Sequence, residues 1–391
     1  MTPGRIVIVG AGQGGLQAAA SLRQEGHDGP IVLIGAEPGL PYQRPPLSKA
    51  FLKTGEADKL VLRPRSFFDR NAIDYLPQTR VEEIDRGSAE VRAGGRRIAY
   101  DHLILATGTR NLRPPVDGID AALDLRTLAD AAALRAALDR PRRVAVIGGG
   151  FIGLEFAAVA RRLGHEVSIA EAAPRLMARA VSPLMSERFL ALHRALGSSV
   201  HLGVPVAAVS ATGIELADGT GIAADLVLLA AGVRPNTELA EAAGLRIENG
   251  IAVNSRLRTS DPAISALGDC ASYPDPRAGR RIRLESVQAA TDQARFIARR
   301  IVRGEDAPYD ALPWFWSDQD DHKLQIAGLA GPDDDAVAVG EAAVFRFAGG
   351  RLTAVETVND ARTHMQARKR LGGMAAPSRE QLHATGYDLA V

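Results

Sequence analysis

A short apolar run that breaks into a glycine-rich turn and reopens as a helix-compatible stretch occurs twice in this chain. No other feature constrains the fold as much. Arg5-Ile6-Val7-Ile8-Val9 runs into Gly10-Ala11-Gly12-Gln13-Gly14-Gly15, then a helix-compatible stretch to Glu25 and a second apolar run, Ile31–Ile34, ending at Glu37. Arg143-Val144-Ala145-Val146-Ile147 runs into Gly148-Gly149-Gly150-Phe151-Ile152-Gly153, then a segment to Leu163 and the run Glu166–Ala170, ending at Glu171. Both read as βαβ units, because continuous apolar strands buried on both faces imply parallel sheets. With 39 glycines in 391 residues, a bare GxGxxG is expected about 0.4 times by chance, so one copy alone is weak. Two copies in the same strand–turn–helix–strand–acid context are not weak. The first glycine of each (Gly10, Gly148) makes the tight turn, and the second (Gly12, Gly150) lets the backbone approach a pyrophosphate. The third (Gly15, Gly153) lets helix and strand pack closely, while the helix N-terminus faces the anion and the acid accepts from a ribose diol. The chain reads as built to hold two dinucleotides.

Other segments arrange themselves around those units. Strand-like Leu103-Ile104-Leu105 ends in Ala106-Thr107-Gly108, Asp225–Leu229 ends in Ala230–Pro235, and Ala263–Leu267 ends in Gly268-Asp269. A helix is predicted over Gln288–Ile301. From Leu312 the pattern changes to short apolar runs around Leu324–Ile326, Ala342–Phe347 and Leu352–Val358, which predict an antiparallel sheet with a basic helix near Thr363–Arg370. Pro114-Pro115 and Arg140-Pro141 read as joints between elements. The fold class is therefore α/β, with two Rossmann-like dinucleotide-binding domains plus a C-terminal α+β domain. The expected boundaries are 1–107 with 234–311, then 108–233, then 312–391.

Composition serves mainly to exclude. Lys+Arg is 47 against Asp+Glu 46, a formal charge of +1, which argues against a nucleic-acid scaffold or a polybasic membrane binder. No apolar stretch approaches the ~20 residues of a membrane span. The first strand-like run begins too early to leave room for a signal peptide, so a cytoplasmic location is expected. The single cysteine, Cys270, excludes an internal disulfide and any CxxC redox pair. Eight histidines show no zinc-ligand spacing, and no metal site is expected.

With both glycine turns, the Ala106-Thr107-Gly108 segment and the Gly268-Asp269 segment in one chain, the sequence resembles the two-dinucleotide FAD/NAD(P)H oxidoreductases. Within them it is similar to the ferredoxin reductases that serve bacterial cytochrome P450 and aromatic-ring dioxygenase systems. Further segments carry the likeness: Pro41-Tyr42-Gln43-Arg44-Pro45-Pro46-Leu47-Ser48-Lys49, Leu125–Leu128, Gly148–Glu155, Gly232–Asn236, Gly268-Asp269-Cys270, Glu285–Ala289 and Trp316-Ser317-Asp318-Gln319. They extend over most of the chain. The family usually continues Ser-Asp-Gln with Tyr-Asp-Leu-Lys-Leu-Gln, whereas here Asp320-Asp321-His322-Lys323-Leu324-Gln325 follows. That departure bears on the C-terminal surface and hence on the electron acceptor.

The resemblance implies that the first βαβ unit and the 234–311 segment hold FAD. Gly10, Ala11, Gly12 and Gly15 would meet its pyrophosphate and Glu37 its adenosine ribose. Arg44 and Lys49 would lie along the cofactor, with Lys49 reaching the isoalloxazine, and Val81 would contact the adenine region. Ala106, Thr107, Gly108 and Arg126 would complete the cradle, with Asp269 bonded to the ribityl or pyrophosphate region and Val287 opening a helix toward the flavin pyrimidine. Asp269 also reads as a helix N-cap, Arg126 as a solvated helix-start residue and Trp316, the implied flavin-flanking aromatic, as core packing. The second unit would bind NADH: Gly148, Gly150, Ile152 and Gly153 at the pyrophosphate, Glu171 at the adenosine ribose, Arg179 at the adenosine end, Gly232 and Glu285 near the nicotinamide. Lysine is scarce, five of the 47 basic residues, and the retained Lys49 suits a point-charge partner for Glu155. These two are read as tuning and gating residues of the catalytic centre.

The implied reaction is hydride transfer from NADH to FAD, then single-electron delivery to a [2Fe-2S] ferredoxin by a monomer in a transient complex. Glu171 favours NADH over NADPH. A disulfide or peroxide reductase needs a thiol that the N-terminal third lacks. Alternatives are a rubredoxin, nitrite or nitric-oxide system reductase, or an NADH-responsive flavoprotein of the apoptosis-inducing type. Acceptor steering is expected from Arg299, Arg300 and Arg303 and from Arg368, Lys369 and Arg370.

Overall fold

A computed structural model describes residues 4–373 and 375–390. They divide into two compact units: Met1–Gln43, Asp58–Arg110 and Arg234–Ala311 in one, Arg44–Ala57, Asn111–Val233 and Leu312–Val391 in the other.

In the first unit, the four-residue runs Ile6–Val9, Ile31–Ile34 and His102–Leu105 are buried throughout. Such strands find backbone partners on both sides, so they form the centre of a five-stranded parallel sheet ordered Ile264–Ala266, His102–Leu105, Ile6–Val9, Ile31–Ile34, Ile73–Leu76. The edge strand Ile73–Leu76 alternates in burial, as an edge exposed on one face does. The helix Gln13–Gln24 leaves the central strand and packs against the helix Val287–Arg303. Their approach is close because a Cβ at Gly14 would sit 2.5 Å from the Leu267 Cδ1 and 3.4 Å from the Ala290 Cβ. Ser286 caps the second helix, its hydroxyl accepting from the Ala289 N–H at 3.0 Å. A three-stranded antiparallel sheet, Val81–Asp85, Glu90–Ala93 and Arg96–Ala99, is attached.

The second unit repeats the theme with a parallel sheet ordered Ser199–Leu202, Glu166–Glu171, Arg143–Ile147, Leu226–Leu229. One face packs on the antiparallel sheet Val206–Ser210, Gly213–Leu216, Gly221–Ala223, with Ala145, Ile147, Val227 and Leu229 meeting Val209, Ile214, Leu216 and Ile222. Beyond Leu312 the short apolar runs form a five-stranded antiparallel sheet in the order Trp314–Gln319, His322–Gly328, Arg351–Val358, Ala343–Ala348, Asp335–Val339. The helices Ala361–Leu371 and Arg379–Ala384 close its core through Ala367, Leu371 and Leu382. The two parallel sheets and the antiparallel sheet after Leu312 are those the residue pattern predicts, whereas the antiparallel sheets over 81–99 and 206–223 are not expected from it. Among the described residues, no helix is long and apolar enough to cross a membrane.

Candidate functional site

The two glycine turns have nearly the same backbone. Gly10 and Gly148 adopt φ +107° and +110°, values that a side chain makes costly. A Cβ at Gly10 would lie 2.1 Å from the Ala106 carbonyl oxygen, and one at Gly148 2.4 Å from that of Ala230. Third glycines are jammed likewise: a Cβ at Gly15 would be 1.8 Å from the Gly10 oxygen, and at Gly153 2.3 Å from the Gly148 oxygen. The middle glycines differ in kind. Nothing lies within 4 Å of where a Cβ would stand at Gly12 or Gly150, and each is the N-cap of its helix with no side chain bonded to the free amides. Uncapped helix N-termini with open space above them are anion sites. The pyrophosphates of FAD and NADH fit this donor set. Ala11 lies between Gly10 and Gly12, and Ile152, half-buried, is on the first turn of the helix Phe151–Arg162.

Behind the turns the acids are held differently. Glu37 accepts from the Tyr42 hydroxyl. Glu171, the last residue of its strand, accepts from the Gly149 N–H at 2.7 Å on one oxygen and the Ala173 N–H at 2.7 Å on the other.

Around the first turn, Ala106, Thr107 and Gly108 continue the strand His102–Leu105, and Asn236 fixes them. Its Nδ2 donates to the Thr107 carbonyl at 2.9 Å, its N–H donates to the Gly108 carbonyl at 3.0 Å, and the Thr107 hydroxyl donates to its carbonyl at 2.7 Å. Asp269, half-buried, follows Gly268, whose N–H donates to the buried Gln293 Oε1 at 2.7 Å. The Thr109 hydroxyl reaches the Asp269 carboxylate at 3.4 Å, and Arg283 donates to its carbonyl at 3.1 Å. Helix capping here falls to Ser286, not Asp269. Arg283 also pairs with Glu285 at 2.7 Å. Val287 opens the helix that follows, and Val81 opens a strand of the attached sheet. Cys270 is fully buried, its Sγ 3.2 Å from the Leu267 carbonyl, and burial pushes its thiol pKa up. Such a thiol is inert.

In the second unit, Glu155 lies on the inner face of the helix Phe151–Arg162, 5% exposed. Its Oε2 meets the Lys49 Nζ at 2.7 Å and accepts from the Ser48 hydroxyl at 2.6 Å, while Oε1 accepts from the Ser317 hydroxyl at 2.8 Å. Ser317 in turn accepts from Gln319 Nε2 at 3.3 Å, and Gln319 Oε1 bonds to His193 Nε2 at 2.9 Å. The structure thus brings Lys49 and Glu155 together and adds four polar residues, Ser48, Ser317, Gln319 and His193, whose roles the sequence does not mark. Ser48 and Ser317 stand 107 and 162 positions from Glu155, too far for any spacing rule. Arg44 donates to the Arg126 carbonyl at 2.6 Å. Arg126 is half-buried, and its own N–H donates to Asp130 at 3.1 Å at the start of the helix Leu128–Ala137. Trp316 is half-buried beside Trp314, ring centroids 5.7 Å apart. Arg179 is exposed, with a guanidinium nitrogen 3.7 Å from where a Cβ at Gly232 would stand.

One expectation is corrected. Arg299, Arg300 and Arg303 do not form a free cationic patch. Arg300 is 3% exposed and donates to Ser265 Oγ at 2.7 Å, and desolvation with Arg258 nearby brings it down to about 10. Arg299 pairs with Glu305 at 3.2 Å and Arg303 with Glu25. The hydrophobic face of this helix dictated the burial: Arg300 follows Phe296 and Ile297 on it. By contrast Arg368, Lys369 and Arg370 are exposed, Arg368 lying over the Trp314 ring at 4.3 Å, with Arg362 and the 68% exposed Met365 on the same helix.

Residues 4–294 match the family model described as pyridine nucleotide-disulphide oxidoreductase, and residues 314–390 the one described as reductase C-terminal. The chain is 44% identical to rhodocoxin reductase of Rhodococcus erythropolis, over 98% of this chain and 93% of that protein. It is 41% identical to the ferredoxin–NAD(+) reductase component of the anthranilate 1,2-dioxygenase system of Burkholderia cepacia, over 98% of this chain and 97% of that one. The crystal structure of the ferredoxin reductase for the CYP199A2 system from Rhodopseudomonas palustris superposes with a TM-score of 0.95 at 45% identity, covering 99% of this chain and 98% of that one.

Proposed function

We propose that this chain, which belongs to the pyridine nucleotide-disulphide oxidoreductase family, is an NADH-dependent ferredoxin reductase serving a cytochrome P450 or an aromatic-ring dioxygenase. The observation that carries this reading is the pair of glycine turns, each with open space over an uncapped helix N-terminus, in a chain whose single thiol is buried. Two dinucleotides can be held, and the dithiol exchange after which the family is named has no residues to perform it. The relatives' names supply the acceptor class.

FAD, when bound, takes the hydride of NADH and passes its electrons on singly. The remaining work is the chain's own. Gly10, Gly12, Gly15, Ala11, Glu37, Val81, Ala106, Thr107, Gly108, Arg44, Lys49, Arg126, Asp269, Val287 and Trp316 hold and orient FAD. Gly148, Gly150, Ile152, Gly153, Glu171, Arg179, Gly232 and Glu285 do so for NADH. The Lys49–Glu155 pair tunes and gates rather than moving a proton, since Glu155 already carries three hydrogen-bond donors. The acceptor is a small acidic [2Fe-2S] ferredoxin, met by a cytoplasmic monomer through the exposed cationic face of the helix Ala361–Leu371.

The test is a salt series. Ferredoxin reduction should slow as ionic strength rises, because exposed charges are screened beyond ~8 Å at 0.15 M salt. Flavin reduction by NADH, read by stopped flow, should change far less. If both respond equally, or if a rubredoxin or a free dye is reduced faster than any [2Fe-2S] protein, the ferredoxin assignment fails.

A further inference from the structure

The segment between Glu171 and the helix Pro183–Ala195 runs past the carboxyl ends of the parallel strands, where ligands of such sheets bind. The Met177 N–H donates to the Gly149 carbonyl at 2.9 Å, inside the second glycine turn. Two residues on, exposed Arg179 has a guanidinium nitrogen 3.7 Å from where a Cβ at Gly232 would stand. The first half of the segment is held from its own side: Leu176 and Met177 are buried, Arg175 donates to the Ser186 Oγ at 3.0 Å, and the Ser186 hydroxyl donates to the Leu176 carbonyl. Arg175 clamps it internally, donating to the Ala178 carbonyl at 2.7 Å and the Val181 carbonyl at 2.8 Å.

The outer anchor comes from the C-terminal sheet. Glu356, on the strand Arg351–Val358, is 1% exposed and accepts from both donors of Ser182, the N–H at 2.8 Å on one oxygen and the hydroxyl at 2.6 Å on the other. Ser182 is itself the N-cap of the helix Pro183–Ala195 and accepts from the Met185 N–H at 3.1 Å. Arg346, 2% exposed, neutralises Glu356 at 3.0 Å and donates to the Gly331 carbonyl at 2.9 Å. A buried ion pair generally contributes no more stability than a well-packed apolar pair of the same size. A carboxylate at this position is therefore best explained by what it recognises, two donors at the end of the nucleotide-side segment.

We infer that Glu356, held by Arg346, is a positioning residue for NADH: it fixes Ser182 and the segment 175–182, and so sets Arg179 at the mouth of the second glycine turn. The inference rests on the proposed NADH reading and adds that nucleotide affinity depends on a C-terminal-sheet residue that does not itself touch the nucleotide. Pre-organising a binding segment raises affinity by lowering the ordering cost at binding.

The experiment compares wild type, E356A, E356D, R179A and the E356A/R179A double variant by stopped-flow flavin reduction against NADH concentration, with thermal midpoint and FAD content alongside. E356A should raise the half-saturating NADH concentration about fivefold while leaving the limiting rate and FAD content in place, with E356D between it and wild type. In the R179A background, E356A should add almost nothing, because the two act on one contact. The inference is overturned if E356A lowers the thermal midpoint but leaves half-saturation where it was, or if the two effects add in full. Should E356A fail to fold, S182A removes one of the two donors and should shift half-saturation about twofold, an unchanged value overturning the inference. Calorimetric NAD+ binding to the same variants separates these outcomes independently of turnover. A wild-type protein that binds NAD+ yet is not reduced by NADH sinks the proposed function and leaves this inference to the binding data.

Discussion

The two βαβ units share a backbone and differ in what stands behind it. Their first glycines have φ within a few degrees of each other, +107° and +110°, and in both the third glycine faces a carbonyl oxygen that would forbid a Cβ. Behind the first turn the support is mostly apolar, with Gly14 pressed to Leu267 and Ala290, and the acid Glu37 engaged by a tyrosine hydroxyl. Behind the second it is polar. Glu171 is pinned by two backbone amides, and Glu155 is buried among Ser48, Lys49 and Ser317. Glycine geometry is a backbone requirement and is met identically twice. The surroundings differentiate the copies, mostly apolar support behind the first turn and hydrogen-bonded acids behind the second.

The comparison breaks most readily at the third glycines. Gly15→Ala would set a methyl 1.8 Å from the Gly10 oxygen, and Gly153→Ala one 2.3 Å from the Gly148 oxygen, each costing at least ~1–3 kcal/mol of strain. The first should abolish flavin retention, read from the ratio of flavin to protein absorbance. The second should keep FAD and lose reduction by NADH. If both lose FAD alike, the two seats are not differentiated.

Acid is the next lever. His102 is buried in the first unit against Ser265 Oγ at 2.8 Å, and desolvation, with Arg300 and Arg258 nearby, pushes it down to about 3 from 6.5. In the second unit His364 is brought down to about 4 by burial and by Arg368. In both cases the unfolded chain binds a proton that the folded one refuses, so stability falls as pH drops from about 6.5 toward the folded values. The thermal midpoint should therefore fall across that window. His102→Gln, which keeps a donor for Ser265, should flatten the loss more than His364→Gln does, since the His102 window is the wider.

A smaller effect separates the acids. Wild type should prefer NADH over NADPH by at least about tenfold in kcat/KM, because a 2′-phosphate beside the Glu171 carboxylate meets like charge. Glu171→Ala should narrow that ratio to about threefold and, by freeing the Gly149 and Ala173 amides, raise KM for both cofactors. Glu37→Ala should weaken FAD retention and leave the ratio alone. A changed ratio in the Glu37 variant would mean that the assignment of the two turns is inverted.

The smallest effect belongs to Cys270→Ser. The hydroxyl can still donate to the Leu267 carbonyl that Sγ now meets at 3.2 Å. FAD content and NADH-driven ferricyanide reduction should be nearly those of wild type. Lost turnover with FAD in place would bring back thiol chemistry.

How much of the molecule is legible in its sequence follows from the range of each physical demand. Gly10, Gly15, Gly148 and Gly153 answer to backbone atoms of their own strand–turn–helix or of the next strand, so their pattern announced two dinucleotide turns and two parallel sheets. The alternating runs after Leu312 likewise announced an antiparallel sheet, and one cysteine excluded an internal disulfide and a CxxC pair. The basic cluster at the end of the helix Val287–Arg303 misled, because three arginines look alike in sequence and only packing decides that Arg300 goes inward. Glu155 stood out in the sequence, but its serine partners did not, and nothing marks Glu356 there although it grips Ser182 from 174 positions away. Sequence alone determined what short-range sterics and strand burial require: the turns, the sheets and the chemistry the chain lacks. Beyond the Lys49–Glu155 pair, only the tertiary structure decided which carboxylate meets which donor, because those partners come from elements remote in the chain whose side chains are brought together by packing.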